Sequence, residues 1–174
     1  MTLQVESLSI RLGKAFHRLL EFADQIPLSS SAPPNWRSGR WGAVLAPFAL
    51  SASDCSQVGA AASRVVSDPS LRSLLGLDNP EAIAWVEREW PDGQGGWIRP
   101  DRVVWLPPPQ AMRIIDFKWR VLPAEEADYA AQLRAYQACV SPAADGLIIT
   151  AEGGHWILTQ EGLVHWSSAG RPAL

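Results

Sequence analysis

The chain has 174 residues, 47% of them apolar and 19% charged, with a net charge of −3. That length suits one domain able to bury roughly two-thirds of its unfolded surface, and the balance excludes disordered and fibrous classes. The acidic excess argues against a free-standing DNA binder held by bulk charge, and two cysteines, Cys55 and Cys139, exclude a disulfide framework or a cysteine-rich zinc site.

In chain order, residues 4–25 read as an amphipathic helix, with Val5, Leu8, Leu12, Phe16, Leu19 and Leu20 recurring at helical spacing. Ile26-Pro27 and the "LSSSAPPN" after it form a loop, and Pro47 argues against a long helix over 41–50. Ser53 or Asp54 is expected to cap a helix running to about Val66, and "DPSLRSLLG" adds a short helical piece. The period then shortens to that of strands. "AIAWVEREW" and "WIRPDRVVWL" read as two strands around the turn "DGQGG", with Pro100 marking an edge or a bulge. "PPPQ" is a turn and "MRIIDFKWR" a strand, followed by a helix over about 125–140 whose first turns carry Glu125, Glu126 and Asp128. "GLIITA", "HWILT" and "LVHWS" supply the remaining strands. The expected fold is α/β, a mixed central sheet flanked by helices, in one domain: a helical part over about 1–78, then a sheet and helix over about 79–174.

The charges inside the expected strands call for an explanation. Residues two apart in a strand share a face, so Asp116 and Lys118 are neighbours, and the antiparallel return brings Asp101 beside them. Two carboxylates on adjacent strands can share a divalent cation through oxygen ligands, with the lysine orienting water or countering charge on a phosphate. The bland alternative is a buried Asp–Lys pair with Asp101 in a turn. Arg99, Arg102, Arg113, Lys118 and Arg120 cluster in this part of the chain, where a nucleic acid would be held. The nine tryptophans read as core and sheet-face packing, with base stacking as the alternative. His155 and His165, flanked by tryptophans, read as packing residues.

Five short motifs in order widen this reading: "GKAFHRLLE", "DPSLRSLLG" with "VEREWP", "IRPDRVV", "IIDFKWR" and "YAAQLRAYQ". Over about residues 10–140 the sequence resembles the PD-(D/E)xK nuclease superfamily, in particular the RecB-like domain of RecB- and AddA-type helicase-nucleases. The resemblance implies a restriction-endonuclease-like core and a Mg²⁺-dependent deoxyribonuclease, Mn²⁺ being an alternative ion. Such an enzyme would act as an exonuclease in double-strand break repair and recombination. It implies metal ligation by His17, Asp101, Asp116 and the Phe117 carbonyl, with Lys118 positioning the attacking water. Gln132 and Tyr136, four apart on one helical face, would contact DNA or support Lys118, and Arg99, Arg102 and Arg120 would bind the DNA backbone. Tyr129 is a weaker candidate on the same helix. Without the resemblance, His17 reads as a half-buried helix histidine. Glu87 and Glu89 have two readings, a water-mediated reach to the ion or a solvated strand face, and Glu21 either orients His17 or lies on the surface.

Partners implied are DNA and a helicase domain or helicase–nuclease complex. An excised C-terminal domain and a stand-alone relative are both compatible with the chain, which carries no Walker-type loop. Two cysteines cannot hold the iron–sulfur cluster found in several relatives, and Arg99-Pro100 stands where the family often has glycine. The competing reading is a catalytically silent module that binds DNA or a helicase. No secretory leader and no membrane-spanning run is seen, so the expected setting is the cytoplasm, with no membrane partner.

Overall fold

The computed structural model describes residues 6–28, 34–107 and 112–166. Val5, most of the "LSSSAPPN" loop, the "PPPQ" turn after Pro107 and Ser167 lie outside the described residues.

Helix α1 (Leu8–Leu20) starts where Ser7 accepts a hydrogen bond from Ile10 N, and it buries Leu12, Ala15, Phe16, Leu19 and Leu20. It stops five residues short of the expected end: the chain tightens into a 3₁₀ turn at Ala23–Gln25, ahead of Pro27. Helix α2 spans Gly39–Leu45, and Pro47 opens a separate 3₁₀ turn behind it. Helix α3 (Ala52–Ser67) is capped by Ser51, not by Ser53 or Asp54. Asp54 instead completes a capping box, its carboxylate accepting from Ser51 N while Ser51 Oγ accepts from Asp54 N. Asp68 caps α4 (Pro69–Leu74), with Pro69 in the first turn, where a missing N–H costs nothing.

Eight strands follow in two sheets. Strands β1 (Ile83–Val86), β4 (Arg102–Trp105), β5 (Arg113–Lys118), β6 (Asp145–Thr150), β7 (His155–Leu158) and β8 (Leu163–Trp166) lie side by side in that order. Their pairings are antiparallel except β5–β6, which is parallel and needs a crossover; α5 (Glu126–Val140) supplies it. This is the expected mixed sheet flanked by helices. The two long expected strands are each broken, however. "AIAWVEREW" divides into β1 and β2 (Trp90–Pro91), and "WIRPDRVVWL" into β3 (Trp97–Ile98) and β4. Strands β2 and β3 pair only with each other, as a two-stranded ribbon.

Alternation along β5 assigns the two faces. Ile115 and Phe117 join α1 and α3 in the larger core, whereas Ile114 joins Val103 and Leu133 of α5 in the smaller one. Asp116 and Lys118 therefore share the α5 face with Ile114. The larger core fixes α1, and through it His17: Phe16, Leu19 and Leu20 are fully buried.

One close approach secures this helical layer. The Trp36 ring lies against Gly59 of α3, where an added methyl would overlap the indole. Gly59→Ala should cost about 1–3 kcal/mol, lowering the melting temperature by roughly 2–4 °C per kcal/mol. Thermal unfolding followed by circular dichroism measures it, and an unchanged melting temperature would contradict the packing.

Candidate metal centre

The strand register explains how the charged residues meet. Val86 pairs with Arg102, and Arg102 with Ile115. Extending both ladders by one residue sets Glu87 opposite Asp101 and Asp101 opposite Asp116. Three carboxylates thus stand in a row across three adjacent strands, at the end of the sheet where β1 finishes and β4 begins. Glu87 N donates to Asp101 O at 3.1 Å, which closes the row at the backbone. Glu87 itself has φ of +52°, a left-handed conformation that is costly for a side chain of its kind. This bend breaks the expected strand.

Contacts from α1, from α5, from Arg99 just after β3 and from β5 itself converge on the row. His17, reaching from α1, has Nε2 2.6 Å from Glu87 Oε1 and 3.5 Å from Asp101 Oδ1. Its ring meets Phe117 edge-on at 6.1 Å between centroids. Arg99 Nε lies 2.9 Å from Glu87 Oε2. Lys118 Nζ lies 2.6 Å from Asp116 Oδ2, an ion pair at hydrogen-bond distance. Asp101 Oδ2 accepts from Phe117 N at 2.6 Å. From α5, the Tyr129 ring lies 4.8 Å beneath Lys118 Nζ, and Gln132 Nε2 donates to Tyr136 Oη at 2.8 Å.

The electrostatics follow from burial. Asp101 and Asp116 are 7% and 2% exposed. Burial first, and then the charge of Asp116, push the Asp101 carboxyl up to about 7. Burial likewise raises Asp116, against the opposing pull of Lys118. Tyr136 is pushed up to about 12, by burial and then by the Asp116 charge. Paired acids held at such cost in the absence of a cation are the arrangement a divalent ion relieves.

The cluster that forms is not the expected set. His17, Glu21 and Glu87 each offer an atom within 4.8 Å of the other two, a group that includes neither Asp101 nor Asp116. Asp101 Oδ1 approaches His17 at 3.5 Å, and Asp116 lies across from Asp101 with its Oδ2 held by Lys118. Glu87, ambiguous in the sequence, thus stands in the row itself, whereas Glu89 is exposed beside it. Glu21 is one turn from His17 and also pairs with Arg18. The register was the signal that could have singled out Glu87. The Phe117 side chain packs into the core, and its N–H is spent on Asp101.

The basic cluster, by contrast, is dispersed. Arg102 is buried, its Nε donating to Leu75 O at 3.1 Å, so it is not available to an external phosphate. It falls on the opposite face of β4 from Asp101 because neighbouring strand residues alternate. Arg113 sits at the far end of β5 from Lys118 and donates to Ser73 O. Arg120 is exposed beyond β5, and Arg99 is exposed at the row. His155 is buried and His165 stacks on Trp156 at 4.2 Å, in keeping with packing roles. Cys55 and Cys139 are both free thiols.

Burial of Asp101 generates a pH signature. Unfolded, Asp101 ionises from its ordinary 3.8; folded, it holds its proton to about 7. The folded state binds more protons in that window, so metal-free stability falls as pH rises from about 4 to 7. Asp116→Asn removes one of the opposed charges and should stabilise the metal-free protein by about 1–2 kcal/mol at pH 8, or roughly 2–8 °C. Melting in EDTA tests this, and a lower melting temperature for the variant would contradict it.

No protein-family model matches the chain, and no significant match was found among curated proteins or among solved structures. Among the described residues, no helix is long and apolar enough to cross a membrane.

Proposed function

We propose that the chain is a Mg²⁺- or Mn²⁺-dependent deoxyribonuclease of the PD-(D/E)xK kind, with a restriction-endonuclease-like core. The observation that carries this reading is the row Glu87–Asp101–Asp116 on consecutive strands, met by His17 from α1 and by Lys118 two residues beyond Asp116.

The residues suit a hard divalent cation. Carboxylate oxygens dominate, and one imidazole is present. Asp101, Asp116 and His17 would hold the ion, with Glu87 turning from His17 to share it. When bound, the ion would supply Lewis acidity, countering charge on the scissile phosphate and making a nearby water more acidic.

The chain's own groups account for the rest. Lys118 carries its ammonium beside Asp116, where it orients the attacking water and counters charge accumulating on the phosphate oxygens. Tyr129 limits its freedom by a cation–π contact. Gln132 and Tyr136, hydrogen-bonded to each other on α5, offer polar groups beside the row, and Arg99 offers a cation at its edge. Participation in break repair and recombination beside a helicase belongs to the same proposal and rests on the sequence resemblance, and a cytoplasmic setting is proposed with it.

The test is cleavage of linear DNA by purified protein with Mg²⁺ or Mn²⁺. Asp116→Ala and Lys118→Ala should each lower the rate at least about a hundredfold while keeping the wild-type circular dichroism spectrum. Wild-type rates in either variant would overturn the assignment. In parallel, a cation at a hundred times its Kd should stabilise the wild type by about 2.7 kcal/mol and Asp116→Ala by much less, as melting with and without metal will show.

A further inference from the structure

Between Val86 and Arg102, which pair with each other, the chain leaves the sheet at Glu87 and returns at Asp101. Both ends of this excursion are members of the carboxylate row, and the excursion is the β2–β3 ribbon. One ribbon face is packed: Trp90 and Ile98 are half-buried, Trp90 meets Trp85 edge-on at 6.0 Å, and Arg88 lies over both indoles. The other face carries the paired Pro91 and Trp97, both exposed. Trp97, at 68%, is the most exposed large apolar side chain among the described residues. At the tip, Asp92 Oδ1 accepts from Gln94 N and Gly96 N at 2.8 Å, so that carboxylate serves the turn. Gly93 and Gly95 have positive φ, and an added Cβ would meet nothing within 4 Å of either, so the tip stands free.

Trp97 on β3 and Arg99, two residues further along, lie on the stretch of chain that leads from the ribbon back to Asp101. Arg99 is 59% exposed and spends Nε on Glu87, leaving further donors of its guanidinium. A path therefore runs from an open indole, past a cation, to Glu87, His17 and Asp101. We propose that this ribbon binds single-stranded DNA, one base stacking on Trp97 and the adjoining phosphate held by Arg99. The choice of DNA rests on the nuclease reading above; the choice of single strand rests on Trp97. Stacking needs an unpaired base, whose faces a duplex does not expose along its length. Glu89, exposed next to β2, opposes an anionic strand, so its neutralisation should tighten binding.

The test is fluorescence anisotropy of a labelled oligo-dT and of a blunt duplex of equal length, in EDTA so that metal and cleavage play no part. Trp97→Ala should weaken oligo-dT binding about 5- to 100-fold and leave duplex binding unchanged. Trp97→Phe should stay within about threefold of wild type, and Glu89→Gln should bind oligo-dT more tightly. Circular dichroism of each variant should match the wild type, as expected of exposed positions. Absence of oligo-dT binding by the wild type, unchanged binding by Trp97→Ala, or equal loss for both DNAs would overturn the proposal. Should the wild type bind oligo-dT through Trp97 yet fail to cleave with metal, the nuclease reading alone falls.

Discussion

Three carboxylates on neighbouring strands repel one another, and burial deprives them of the water that would screen the repulsion. Like charges directly across a sheet are unfavourable, and Asp101 and Asp116 are nearly inaccessible. The surrounding groups answer this constraint. Lys118 sits on Asp116, His17 bridges Glu87 and Asp101, and Arg99 takes the outer oxygen of Glu87. The left-handed backbone at Glu87 turns the chain away from the sheet at the same point. A fold selected for stability alone would put apolar side chains at these positions, as β6 does opposite Asp116 with Ile148. Strain and opposed charge gathered in one place are what the proposed chemistry draws on.

The two cores hold the groups in register. His17 is on the helix whose Phe16, Leu19 and Leu20 are sealed against the sheet, so its ring reaches the row from the larger core. Lys118, Tyr129, Gln132 and Tyr136 belong to the other face, where α5 lies as the crossover between the parallel strands β5 and β6. The row stands where the two layers meet at the end of the sheet. Positions set by packed helices and strands are more rigid than loop positions, as the proposed convergence of oxygens on one small ion would require.

Much of this was legible in the sequence because period-2 and period-3.6 patterns report faces directly. Asp116 and Lys118 share a strand face, the mixed sheet follows from the element order, and the Leu8–Leu20 stripe marks α1. Breaks in strands were less legible. "AIAWVEREW" begins with five apolar residues and ends on Trp90, and nothing in the charged Glu87-Arg88-Glu89 between them announces a left-handed Glu87. That turn is set by what the chain must reach, so Glu87 looked no different from Glu89. Arg102 misled for the opposite reason: its place beside Asp101 in sequence suggests a shared role, yet alternation along β4 sends it under Leu75. The cap of α3 was misread because "SASD" offers several acceptors, and the capping box selects Ser51 through its reciprocal bond with Asp54.

The central proposal is that one divalent cation is shared by His17, Asp101 and Asp116. An anomalous difference map from a crystal soaked in Mn²⁺ tests it most directly. The account predicts a single strong peak within roughly 2.5 Å of Asp101 and Asp116 oxygens and of His17 Nε2, with Glu87 turned from its bond to the imidazole. A map without density there, or with Mn²⁺ held only by exposed carboxylates elsewhere, would contradict it.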